Sequence, residues 1–98
     1  MSLYIEFTAW TLVSENQECG GSEIRKSLRP NAEVQDCATE CGGVSSMFLF
    51  SPRWNACYCE TSAAEDGTCN IVDIQHYNLY KYGKYIKYKY TLELLMKL

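Results

Sequence analysis

Cys37-Ala38-Thr39-Glu40-Cys41 and Asn55-Ala56-Cys57-Tyr58-Cys59 decide how this chain folds. Cysteines four apart lie on one face of a helix, one turn apart, with about 6 Å of rise between them. Cysteines two apart lie on one face of a strand, roughly 6.5 to 7 Å apart. The separations match, so a helix laid across a strand can be stapled to it by two neighbouring disulfides. Spacing alone leaves open which helix cysteine meets which strand cysteine.

The local signals around both pairs agree with this. A helix is expected over residues 32–41. Asn31 offers an N-cap, and Glu33 and Asp36 favour the positive end of the helix. Val34, Cys37, Ala38 and Cys41 recur on one apolar face, and Gly42-Gly43 stops the helix. Ser46 to Phe50 reads as a buried strand, Ser51 to Asn55 as a turn, and Ala56 to Glu60 as the returning strand of a hairpin. Tyr58 then faces away from its flanking cysteines, as a second core face or an exposed contact. Arg53 and Trp54 fall at the turn tip, where the ring either anchors a ligand or folds back over the disulfides.

Outward from this centre the signals thin. Residues 3–13 are rich in aromatic and β-branched types and read as one or two strands. Ser14 to Glu18 reads as a polar break and Cys19-Gly20-Gly21 as a turn. Residues 22–30 read as a loop or short strand, and 61–68 as a polar loop. Ile71 to Ile74 and Tyr77 to Tyr80 read as two short strands closing the sheet. The expected class is therefore α+β: a small disulfide-rich domain with a curled antiparallel sheet and one helix across it.

The 98 residues suffice for one domain. Six cysteines in so short a chain favour three bridges and an oxidising compartment, secreted or on the extracellular part of a larger protein. The competing zinc reading lacks the usual paired CxxC knuckles, so no metal or other cofactor is expected. The start, Met1 to Phe7, has neither a basic segment nor a long uncharged one, as expected of a mature or excised domain or of a chain whose true start lies upstream. No stretch approaches the ~18 apolar residues of a membrane span.

Charge is unevenly spread. Residues 1–80 carry four basic and eleven acidic side chains; residues 81–98 carry five lysines and one glutamate. Tyrosines interleave with Lys81, Lys84, Lys87 and Lys89, suggesting a strand to about Tyr90 and a helical or frayed end. This tail, residues 83–98, is expected to be separate from a domain over residues 1–82. It offers weak contact with anionic surfaces through Lys84 and Lys87, or an edge strand whose lysines block aggregation. Nucleic acid is not an expected partner, because the body is acidic.

The order of cysteines also carries a resemblance. A lone cysteine is followed by Glu33 to Cys41, Met47 to Phe50, Asn55 to Cys59, and Tyr77-Asn78-Leu79-Tyr80. Over roughly residues 10–82 this resembles the PAN/apple-like domain, and more loosely the WSC domain. The resemblance implies bridges Cys41–Cys57, Cys37–Cys59 and Cys19–Cys69. It also implies an extracellular, non-catalytic module that binds a protein or a carbohydrate. The candidate contacts, read from the residues themselves, are Arg53, Trp54, Tyr58, Lys84 and Lys87. The tail after Tyr82 has no counterpart in it.

No catalytic constellation is visible. His76 is the single histidine and lies near no nucleophile pattern, so it reads as a surface or packing residue. Two other function classes remain: a small secreted effector (a toxin, pheromone or protease inhibitor) acting through the basic tail, and an intracellular zinc domain.

Overall fold

Phe48, Phe50, Cys57 and Cys59 pack into one buried cluster, while Met47 and Leu49 pack into another, with Tyr58 against it. This is the period of two expected of strands buried on both faces. The computed structural model describes residues 2–7, 9–83 and 86–91, with side chains described for 9–83. Its strands are β1 (Ser2–Phe7), β2 (Trp10–Cys19), β3 (Ile24–Lys26), β4 (Met47–Ser51), β5 (Ala56–Cys59), β6 (Ile71–Tyr82) and β7 (Ile86–Thr91), and its helix is α1 (Val34–Cys41). β2, β6, β4, β5 and β3 form one antiparallel sheet in that order, and β1 pairs with β7. The fold is α+β and disulfide-rich, as the cysteine spacing requires. Among the described residues no helix is long and apolar enough to cross a membrane.

The helix lies on the face that carries Cys57 and Cys59. Cys37, Ala38 and Cys41 are buried there against Phe48 and Phe50, with Trp10, Tyr80 and Tyr82 at the margin. Phe48 stacks on Tyr80 at 5.1 Å, and Trp10 meets both rings edge-on. The Tyr82 hydroxyl donates to the Ala38 carbonyl, tying β6 to the helix. On the other face Cys19, Met47, Leu49 and Leu79 are buried, with Tyr58, Tyr77 and Cys69 packed against them.

The cysteines form three bridges: Cys19–Cys69, Cys37–Cys57 and Cys41–Cys59. The outer bond is the one implied by the resemblance. The two inner bonds are exchanged relative to Cys37–Cys59 and Cys41–Cys57. The cause is chain direction. Gly43, at φ 77°, turns the chain back after the helix, and β4 begins only at Met47. The start of β4 thus lies under the end of α1. In the hairpin register Phe48 faces Cys59 and Phe50 faces Cys57. The helix end therefore meets Cys59, and the helix runs parallel to β5. The rejected partner is close, since the Cys41 and Cys57 sulfurs are 3.8 Å apart.

Several local expectations are also corrected. The helix begins at Val34, with Glu33 at the N-cap and the Asp36 carboxylate accepting the Glu33 amide at 2.8 Å. Asn31 instead sits in a turn at φ 54°. Ser14 to Glu18 is no break: β2 runs through it, because an edge strand is held by its ladder to β6 and tolerates polar side chains on both faces. The two short strands near the end are one, β6, interrupted by a bulge. The strand expected up to Tyr90 is β7, so the division at residue 82 falls between two segments that each pair with the first part of the chain, β6 with β2 and β7 with β1. The helical or frayed end expected after Tyr90 lies outside the described residues from residue 92 onward.

Candidate recognition surface

The β4–β5 turn is short, and the Cys37–Cys57 bridge lies just beyond its β5 end. Trp54 stands at its tip with 55% of its surface exposed. Its backbone amide donates to Ser51 Oγ at 3.1 Å. Next to it, Asn55 holds φ 48° and stitches the turn to the segment before the helix. Its Oδ1 accepts the Ala32 amide at 2.8 Å, and its Nδ2 donates to the Arg29 carbonyl at 3.0 Å. The ring does not fold back over the disulfides. Trp54 is an exposed aromatic on a turn fixed from both sides, which limits the entropy lost when it binds something.

Two side chains frame the indole. The Arg53 guanidinium lies over the ring, 5.2 Å from its centroid. His76 meets it at 80°, with centroids 6.0 Å apart. His76 comes from β6 and is distant in sequence, so only the fold brings it here. Its φ is 70°, and its amide donates to Asn16 Oδ1 at 3.0 Å. Asn16 also holds a positive φ, 54°. In the β2–β6 ladder Glu15 faces Asn78 and Gln17 faces Asp73, so the single residue Asn16 opposes four on β6. That wide bulge pushes His76 toward Trp54.

The other candidates separate from this pair. Tyr58 is half-buried on the second core face, edge-on to Tyr77 at 6.1 Å, with the Arg25 guanidinium 5.9 Å from its ring centroid. It braces the sheet more than it presents a contact. Lys84 falls outside the described residues. The backbone of Lys87 lies on β7 opposite Glu6. The surface brought together is thus Arg53, Trp54 and His76.

Among the described residues, Glu60 has the most displaced titration. It is fully buried, and its Oε2 accepts the Cys19 amide at 3.1 Å. Burial, then the neighbouring Glu23 carboxyl, push it up to about 9. A displaced carboxyl in a cleft suggests a catalytic acid. This one has no solvent-exposed surface, and it meets the Cys19 amide of the outer clasp and the Glu23 carboxyl. All six sulfurs are bonded in pairs, so the close group Cys37, Cys41 and Cys57 offers no thiolate to a metal.

A scan against models of protein families finds no match for this chain, and searches of curated proteins and of solved structures find none.

Sequence reasoning found Arg53 and Trp54 from the turn and missed His76 as their partner. No spacing rule signals it, because a bulge changes the register without a distinctive motif.

Proposed function

We propose that this chain is an extracellular, non-catalytic recognition module of the PAN/apple-like kind, which binds a protein or carbohydrate partner through the surface around Trp54. The observation that carries the reading is the exposed indole on a turn held by the Ser51 and Asn55 hydrogen bonds and by the nearby Cys37–Cys57 bridge. Three bridges in a chain of 98 residues need an oxidising compartment, which supports secretion or an extracellular setting. The helix stapled across the sheet supports the family reading, while the exchanged inner bonds depart from it. The bridges act as scaffold, and the turn carries the contact.

The test is binding of the intact chain and of Trp54→Ala to a glycan array and to extracellular extracts. Binding by the intact chain that is lost in the variant supports the proposal. Silence of the intact chain in both formats contradicts it.

A further inference from the structure

Beside the Trp54–His76 contact lies an open groove of about 760 Å³, formed where β2 and β6 part around the bulge. Its polar lining is Glu15, Asn16 and Gln17 from one strand and Asp73, Gln75 and His76 from the other. Gln17 Nε2 donates to Asp73 Oδ1 at 3.0 Å, which holds the floor together. Asn16 uses its Oδ1 on the His76 amide. Among the described residues, Asn16 Nδ2, Gln17 Oε1, Asp73 Oδ2, the Glu15 carboxylate and the Gln75 amide have no protein partner. The groove thus offers both donors and acceptors, and His76 in its lining touches Trp54.

We infer that this groove binds a neutral hexopyranose residue of a glycan, whose hydroxyls pair with Asn16, Gln17 and Asp73 while a ring of the same glycan stacks on Trp54. The inference rests on the recognition reading of Trp54 and names its ligand class. A sugar hydroxyl both donates and accepts, so it matches an amide beside a carboxylate. The C–H face of a pyranose is apolar and suits an exposed indole such as that of Trp54. Among the described residues two carboxylates line the groove and no lysine or arginine does, which disfavours sulfated or uronate sugars. A basic peptide would meet the Arg53 charge on reaching the indole. Neither objection applies to an uncharged glycan.

The test is a titration of the intact, isotopically labelled chain with cellohexaose, mannohexaose, a heparin oligosaccharide and a lysine-rich peptide, followed by NMR. At least one neutral sugar is expected to move the side-chain amides of Asn16, Gln17 and Gln75 together with the Trp54 indole. Asp73→Ala and Gln75→Ala should each keep the fold, and Asp73→Ala should weaken that sugar by about tenfold, as loss of a charged hydrogen-bond partner does. If heparin or the peptide moves the Trp54 indole while the neutral sugars leave the groove amides still, the groove inference fails and the recognition reading stands. If the indole moves with none of the four, and no protein partner moves it, both fail.

Discussion

Cys41 is bonded to Cys59, not to Cys57, although the Cys57 sulfur lies only 3.8 Å away. The bond records the direction of the helix. A helix that ends over the start of β4 must end over the finish of β5, because the two strands are antiparallel. The Trp54 turn is then the far end of the hairpin, beyond Cys57 and below the start of the helix.

The bonding is testable by peptide mapping under non-reducing conditions. Cleavage after Glu40 separates Cys37 from Cys41, and cleavage after Tyr58 separates Cys57 from Cys59. Mass spectrometry should find Cys37 linked to the peptide ending at Tyr58. A Cys37–Cys59 peptide would reverse the helix.

Stability should rise on acidification through Glu60. Its carboxyl is raised in the folded chain, so its contribution is complete below the unfolded value near 4.5 and is lost as pH climbs toward about 9. Glu60→Gln keeps an acceptor for the Cys19 amide and has no proton to lose. The variant should be the more stable at pH 7, by about 1 to 3 kcal/mol. The gap should close as pH falls toward 4.5, measured by thermal unfolding at several pH values. A gap that is constant with pH would mean that Glu60 is ionised in the fold.

Phe48 and Trp54 should behave oppositely. Phe48 is fully buried between Tyr80, Tyr82 and the helix, so Phe48→Ala should cost about 3 to 5 kcal/mol in denaturant unfolding. Trp54 is more than half exposed at the turn tip, with its ring against Arg53 and His76, so Trp54→Ala should change stability by about 0.5 kcal/mol or less. A large loss in the second variant would make Trp54 part of the core.

His76 stores backbone strain at the surface it helps to form. A non-glycine residue at φ 70° is disfavoured, so His76→Gly should relieve up to about 1 kcal/mol of it. The same change removes the imidazole from the indole, and ligand affinity should fall while stability is kept or gained. A drop in both would show that His76 is needed for folding.

The fold was largely legible because its centre is dense in local signals. CxxxC on a capped helix and CxC on a hairpin specify helix, strands and staple together. The direction of the staple was not legible: spacing left the inner pairing open, and the pairing implied by the resemblance is exchanged in the structure. What else could not be read lay on exposed strands. In β2, the polar run Ser14 to Glu18 imitates a loop, because ladder bonds leave no mark on composition. In β6, nothing in Ile74 to Tyr77 announces that four residues will oppose Asn16 alone. The groove and the approach of His76 to Trp54 follow from that mismatch, so the candidate site was only half visible: its indole and guanidinium could be named, but its imidazole and its polar floor could not.

The most direct test of the exposed Trp54 indole as the recognition contact is a paired comparison of affinity and melting temperature for the intact chain and Trp54→Ala, using a ligand the intact chain captures on the glycan array or from extracellular extract. Affinity should drop by about tenfold or more, in the range of an aromatic anchor, with the melting temperature unchanged. Equal affinity in the two proteins would place recognition elsewhere on the molecule and contradict the account.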